Sequence, residues 1–341
     1  MALLSTRRAR AARHRLRRAT LRRPLRAARA PRLSAVVPCY NEADGLATLH
    51  RRLSASCRTA VGDEYEIILV NDGSADATWS IICQLCQDDP RVVGVDLSRN
   101  FGHQHALTAG LSRARGALVY MLDADLQDPP ELLEQLLERI HDGADIAYGR
   151  RRLRHGESWF KKSTAFVYYR LLDRLSDTPI PLDAGDFRLM TRRSVDHLLA
   201  MPEHDRFMRG MTAWIGFRQD PVDYDRDERS TGATSYPLGK MLRLAMTGII
   251  GFSDRPLRMA IHLSLFCAFL AVGILCYAIG SWLLGYAHRG WLSTVGSILF
   301  VGAGAFFFIG MLGQYIAQIH RQVQSRPLFI IRELRQHDGK Q

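Results

Sequence analysis

Residues 123–128 read Asp-Ala-Asp-Leu-Gln-Asp. If this stretch stays extended, Asp123, Asp125 and Gln127 project to one side, because side chains alternate with a period of two. Three oxygen ligands on one side suit a hard divalent cation. Mg2+ or Mn2+ held by one or two carboxylates, with diphosphate oxygens at other positions, is the expected arrangement for a phosphate-bearing substrate. An acidic turn capping the next helix would account for Asp128 but poorly for the other three.

The elements that must hold these residues follow from periodicity. From Leu33 onward, short apolar runs alternate with longer amphipathic ones, which predicts βαβ units and a mostly parallel sheet. Strands are expected at Leu33–Pro38, Glu66–Asn71, Val92–Asp96, Leu118–Leu122 and Asp145–Tyr148. Leu46, Leu49 and Leu53 mark one helical face; Leu132, Leu133, Leu136, Leu137 and Ile140 mark another. Asp128, Pro129, Pro130 and Glu131 predict a capping box at the start of that second helix. Ligands of an open parallel sheet bind beyond the carboxyl ends of its strands. Polar clusters stand there after each strand: Tyr40-Asn41-Glu42, Asn71-Asp72-Gly73-Ser74, Arg99-Asn100, Asp123 to Gln127, and Gly149-Arg150.

Other chemistries find little support. No G-x-G-x-x-G or Walker-type lysine loop follows the first strand, which counts against a dinucleotide enzyme or a P-loop NTPase. The six cysteines lack the paired spacings of a disulfide scaffold or zinc site, and Cys83 and Cys86 are expected to face a core from one side of a helix. The active domain is therefore expected in a reducing compartment. His103 and His105 read as helix-start residues, with no third His or Cys partner near them in sequence.

Net charge is +12, and residues 1–32 hold twelve arginines with no acid, so the remaining chain is electrically balanced. The basic leader therefore argues against nucleic-acid binding by the domain. It lacks the apolar core of a secretory signal and is expected to be a solvated, disordered arm; attraction to anionic headgroups or a transit role are the alternatives. Ala260–Tyr286 and Trp291–Tyr315 contain no Asp, Glu, Lys or Arg, and each exceeds the ~20 residues that cross a bilayer. Two transmembrane helices are expected, joined by the short connector Ala287–Gly290. Leu238–Arg258 mixes Met241, Leu242, Ile249 and Phe252 with Lys240, Arg243 and Arg258, as an amphipathic helix lying in the interface would. Basic residues flanking the other ends of the two spans place the α/β domain and both termini in the cytoplasm. The expected organisation is a leader (1–32), an α/β domain (33–236), an amphipathic segment (237–258), a two-helix membrane hairpin (259–319) and a tail (320–341).

Taken together, these residues resemble glycosyltransferase family 2, and within it the transferases that load sugars onto polyprenyl phosphates, of the dolichyl-phosphate mannose synthase and bactoprenol glucosyltransferase types. The resemblance runs from about Arg32 to Arg332. It includes Pro38-Cys39-Tyr40-Asn41-Glu42, Asn71 to Asp76, Arg99 to Gly102, Asp123 to Pro129, Gly185-Asp186-Phe187-Arg188-Leu189-Met190, Arg206 to Trp214, then Arg226, Arg229 and Gly232, and Gly313-Gln314-Tyr315-Ile316. It implies a GT-A type, Rossmann-like fold and an inverting transfer from a nucleotide-sugar. By that resemblance Pro38, Tyr40, Glu42 and Asp72 hold the nucleoside, Asp123 contacts it and the metal region, and Asp125 and Gln127 bind the metal. Arg226 and Arg229 face the donor diphosphate, and Arg150 with Lys161 or Lys162 binds the acceptor phosphate. Asp125, Asp186 and Arg188 form the expected catalytic set, with Asp186 orienting the acceptor or an arginine; a loop ion pair between Asp186 and Arg188 is the alternative. One departure stands out: relatives often carry lysine where Ser235 stands.

The expected partners are a nucleotide-sugar, a polyprenyl phosphate and the inner cell membrane, crossed more than once, with homo-oligomerisation left open. The tail and the Asp186–Met190 run favour UDP-glucose over GDP-mannose. A processive polysaccharide synthase is the competing enzyme, but 209–214 lacks its Gln-x-x-Arg-Trp segment. A catalytically dead membrane scaffold is the non-enzymatic alternative, and intact Asp125 and Gln127 speak against it.

Overall fold

The computed structural model describes residues 30–151, 184–225 and 291–337, with scattered positions between 266 and 284. Strands β1 (Leu33–Cys39), β2 (Tyr65–Asn71), β3 (Val92–Leu97), β4 (Leu118–Met121) and β5 (Ile146–Arg151) alternate with helices α1 (Leu46–Val61), α2 (Thr78–Asp88), α3 (His103–Arg113) and α4 (Leu133–His141). There follow β6 (Ala184–Thr191), α5 (Arg192–Ala200), α6 (Met208–Trp214), β7 (Gln219–Tyr224), the long α7 (Trp291–Gln324) and β8 (Ile331–Gln336).

The eight strands form one sheet in the order β7-β5-β6-β4-β1-β2-β3-β8. Pairs β1–β2, β1–β4, β2–β3 and β5–β7 are parallel, whereas β6 and β8 run against their neighbours. Every residue of β1, β2 and β3 is buried, as expected where helices cover both faces of a sheet. Leu33, Ala35, Val37, Ile67 and Leu69 pack with α1, α2 and α4 on one face. Val36, Ile68, Val70, Val93 and Val95 pack with α3, α5 and α6 on the other.

The five expected strands form within a few residues of their predicted bounds. Three features differ from expectation. The region after Arg150, where no strand is expected beyond the fifth, supplies two strands of the sheet, and the tail supplies β8, which zips onto β3. The capping box does not form: a 3-10 turn at Pro130–Leu132 leads into α4 with no side-chain cap, and buried Asp128 accepts a hydrogen bond from the Tyr224 hydroxyl instead.

Of the two expected spans, 291–315 falls within α7, whose Phe300–Gln324 section holds an 18-residue window of mean hydropathy 1.6, none of it buried inside the protein. At ~1.5 Å per residue, the 34 residues of α7 exceed the thickness of a hydrocarbon core of ~30 Å. The other span lies largely outside the described residues; those of it that are described, from Phe266 to Leu283, are helical. The amphipathic segment 238–258, the connector 287–290 and the leader up to Arg29 lie outside the described residues.

Candidate active site

The carboxyl ends of β1 to β5 share one lip of the sheet, and antiparallel β6 delivers its amino-terminal residues to that same lip. Met121 of β4 sits opposite Arg188 in the register, so Asp186 arrives beside Asp123 just past the end of β4. From the opposite side comes the amino-terminal end of α3. Its first residue, His103, places Nε2 3.3 Å from Asp186 Oδ2 and 3.4 Å from Asp123 Oδ1. His103 and His105 do start a helix, as their positions predict, but His103 is also part of the acidic cluster.

The segment after β4 is not extended. Chain direction turns at Ala124–Asp125, and Leu126 adopts a left-handed φ of 57°. For a branched side chain that conformation costs energy and clusters at functional loops. The Asp125 side chain accepts from the Gln127 amide at 3.2 Å, an Asx turn that supports the bend. The premise of an extended run is thus corrected; Asp123, Asp125 and Gln127 are half-buried, while Ala124, Leu126 and Asp128 are buried.

Two anchors, one buried and one exposed, fix this loop. Asp128 takes the Tyr224 hydroxyl, and Arg52 grips Glu131 through two parallel 2.8 Å bonds from α1. Phe187 lies between the Tyr120 and Tyr224 rings, with centroids 5.5 and 5.6 Å away. Gly149 lets these rings close: a Cβ there would stand 2.5 Å from Phe187 Cδ1 and 2.7 Å from Tyr224 Cε1.

Charge at the lip is uneven. Burial pushes Asp123 up to about 6, with His103 opposing the rise and Asp186, Asp128 and Asp125 adding to it. Its Oδ1 is buried and receives no hydrogen bond. Burial would raise Asp186 as well, but Arg209, His103 and Arg188 hold it far below the usual carboxylate range. Burial would lower His103, and Asp186 and Asp123 reverse that, holding the imidazole up at about 9. Asp186 also accepts from Gln104 Nε2 at 2.8 Å and from Arg209 Nε at 3.3 Å. The same Gln104 accepts from the Met208 amide at 2.9 Å, tying α3 to the start of α6.

Arg188 does not reach the lip. It is fully buried, donating to Thr212 Oγ1 and to the Gly185 carbonyl, and so pins α6 against β6. Its expected place among catalytic groups is corrected to one beneath them; of the alternative, a loop ion pair with Asp186, the loop is corrected to strand β6, while the two opposite charges do favour one another.

The expected nucleoside residues occupy the adjacent part of the lip. Pro38 is buried in β1, Tyr40 is 50 % exposed and Glu42 half-buried, its amide donating to Thr78 Oγ1 at 3.0 Å. Asp72 turns inward: it accepts from the Phe101 and Gly102 amides at 2.7 and 2.9 Å, and burial raises it above its ordinary value despite those bonds. It thereby anchors the turn into α3. Gly73 lets this loop touch the next one, since a Cβ on its left-handed backbone (φ 66°) would lie 2.5 Å from Arg99 C.

Arg150 points along the β5–β7 pair, where it grips Asp223 with bonds of 2.5 and 2.9 Å. Arg226, Arg229, Lys161 and Lys162 lie outside the described residues.

Asp123, Asp125 and Asp186 thus come together at the lip with Tyr40, Glu42 and Asp72 beside them. Sequence reasoning gave no role to His103, Gln104, Arg209 or Thr212. His103 alone carried a usable signal, as the residue after Arg99-Asn100-Phe101-Gly102 at a helix start. Arg209 and Thr212 meet β6 only through tertiary packing.

Comparison with known proteins bears on this geometry. The sequence model of a family described as Glycosyl transferase family 2 matches residues 34–199. An uncharacterized glycosyltransferase of Bacillus subtilis, YkcC, is 40 % identical over 303 residues, covering 88 % of this chain and 93 % of that protein. The uncharacterized glycosyltransferase sll0501 of Synechocystis is 39 % identical, covering 89 % and 95 %. The SfII prophage-derived bactoprenol glucosyl transferase of Shigella flexneri is 37 % identical over 308 residues, covering 89 % and 98 %.

Proposed function

The chain belongs to glycosyltransferase family 2, and from that premise we propose that it transfers glucose from UDP-glucose to a polyprenyl phosphate, with inversion, at the cytoplasmic face of a membrane. The observation that carries the reading is the acidic lip, where Asp125 and Asp186 crowd Asp123, whose buried Oδ1 makes no hydrogen bond and has only the His103 imidazole 3.4 Å away. Crowded carboxylates, one with a buried oxygen short of hydrogen bonds, fit a divalent cation. Asp125 and Gln127 would hold that ion with Asp123 beside it. When bound, Mg2+ or Mn2+ supplies Lewis-acid neutralisation of diphosphate charge. The fold we assign is of GT-A type, which the parallel sheet with its ligand lip supports.

The chain's own residues account for the remaining work. A phosphomonoester has a second pKa near ~6, so the lipid phosphate is already a nucleophile at neutral pH. One of its oxygens attacks the anomeric carbon as the bond from that carbon to the nucleoside diphosphate breaks. No strong base is needed, and no side chain is assigned that role. Asp186, held ionised by Arg209 and His103, orients these cationic groups at the lip. Arg188 and Thr212 keep α6, and hence Arg209, in place. Tyr40, Glu42 and Pro38 line the nucleoside end; Arg226 and Arg229 serve the leaving diphosphate; and Arg150 with Lys161 or Lys162 receives the acceptor phosphate.

Membrane attachment follows the same reading. The carboxyl end of α7 leads into β8, which pairs with β3, so the tail and the α/β domain lie on one side. If α7 crosses the bilayer, its amino-terminal end lies on the other side, and the chain must cross again between β7 and α7. This supports 260–286 as the second span and a cytoplasmic location for the domain and both termini.

Membranes carrying the chain, incubated with labelled UDP-glucose and polyprenyl phosphate, should yield an extractable lipid-linked glucose. Asp125→Ala should abolish that product without affecting membrane insertion. Labelling from GDP-mannose instead would replace the sugar assignment. Undiminished transfer by Asp125→Ala would refute the metal site.

A further inference from the structure

Strand β8 does more than close an edge of the sheet. Its pairing with β3 runs Asp96 opposite Glu333 and Leu97 opposite Ile331, which leaves Arg332 as an extra residue in the register. Such bulges re-aim a side chain and recur next to functional sites. Arg332 Nη2 donates to the Ser98 carbonyl at 2.6 Å, and its Nη1 lies 3.3 Å from Asp96 Oδ2.

Asp96 is almost wholly buried at the carboxyl end of β3. Its other oxygen accepts from Asn71 Nδ2 at 2.7 Å, which turns the Asn71 carbonyl oxygen toward the Ser74 amide at 3.2 Å. Ser74 Oγ in turn accepts from the Asn41 amide at 3.0 Å, and Asn41 Oδ1 accepts from the Ala75 amide at 2.9 Å. Asn41 sits in a left-handed conformation, φ 56°, between Tyr40 and Glu42. One continuous set of polar contacts therefore runs from the tail, through a buried carboxylate, to both loops expected to hold the nucleoside.

We infer that Arg332 is a positioning residue for the nucleotide half of the donor site, acting through Asp96 and Asn71 on the loops at Tyr40–Glu42 and Asp72–Ser74. Its charge offsets a buried carboxylate whose second oxygen fixes the Asn71 amide. Removing a partner from a buried charge is costly, and here the cost falls on the orientation of Asn71. The inference rests on the donor reading above and assigns the tail after the membrane helix a part in it.

The test uses the full chain in detergent or nanodiscs, with UDP binding measured by titration and transfer measured in parallel. Arg332→Ala should weaken UDP binding and raise the donor KM by about tenfold, leaving kcat within about twofold, on the scale of one charge-assisted hydrogen bond. Arg332→Lys keeps the ion pair and should recover most of the loss, which a purely structural tail contact would not require. If Arg332→Ala fails to fold, the Arg332→Lys titration and Asp96→Asn decide. Combined with Asp96→Asn, Arg332→Ala should add nothing further, because both act on one chain of contacts. Wild-type UDP binding matched by Arg332→Ala, or a loss confined to kcat, overturns the relay alone. A wild-type chain that binds neither UDP nor GDP overturns the donor reading, and this inference with it.

Discussion

His103 Nε2 stands 3.3 Å from Asp186 Oδ2, a contact between the first residue of a helix and the third residue of an antiparallel strand. It joins the two faces of the lip and contributes to keeping a buried carboxylate ionised. Replacing His103 by Ala leaves Asp186 with its bonds to Gln104 and Arg209 and the nearby charge of Arg188. Bonds to charged groups are worth about 1.5–3 kcal/mol, so kcat/KM should fall by about tenfold or more while the fold persists. Unaltered kinetics for His103→Ala would exclude this contact from the working site.

Asp223 and the acceptor phosphate compete for the Arg150 guanidinium if Arg150 binds acceptor, because Asp223 already grips it through two bonds. Asp223→Asn weakens that grip. The acceptor KM should then fall by a few-fold with the donor KM unchanged. A rise in acceptor KM would mean that the pair itself, rather than a released arginine, serves the site.

Gly149 is the point at which aromatic packing and the Asp123–Asp128 loop meet, through Tyr224. Gly149→Ala drives a methyl group to 2.5 Å from Phe187 and 2.7 Å from Tyr224, so the rings must shift. Overpacking of this kind costs about 1–3 kcal/mol. A lower melting temperature is expected, with reduced transfer because Tyr224 carries Asp128. A melting curve superimposable on wild type would contradict the packing described here.

Asp145 offers a pH test away from the site. The bidentate Arg193 contact, with bonds of 2.6 and 2.6 Å, holds its carboxyl below the ordinary value. A group with a depressed folded pKa contributes stability above its unfolded pKa, near ~3.9, and loses it as pH falls through the folded value. Asp145→Asn should therefore lower the melting temperature at pH 7, and the gap from wild type should narrow below about pH 4. A gap that widens toward acid would reverse the sign of this contribution.

Chelation addresses the cation directly. Dialysis of the membrane-embedded chain against EDTA should abolish transfer, and Mg2+ or Mn2+ should restore it. Transfer that is indifferent to chelator would leave Asp123 Oδ1 without the partner argued for it.

Much of this was legible in the linear chain because it depends on local regularities. Apolar runs flanked by polar clusters located β1 to β5 and the lip, and a charge-free stretch marked the long apolar helix α7. The shared direction expected of Asp123, Asp125 and Gln127 assumed an extended backbone, and the turn at Ala124–Asp125 removes that premise. Reading ahead failed where partners are distant. β6 and β8 have no local signature separating them from loops, and Asp128 resembled a cap until Tyr224, 96 residues away, claimed it. Arg188 and Asp186 share one face of a strand, yet their depths differ, which periodicity cannot express. The sequence by itself determined which residues could bind phosphate and metal, since side-chain chemistry and period are local properties. Only the tertiary structure decided which of them meet, because the antiparallel return of β6 and the docking of β8 are set by long-range packing across the sheet.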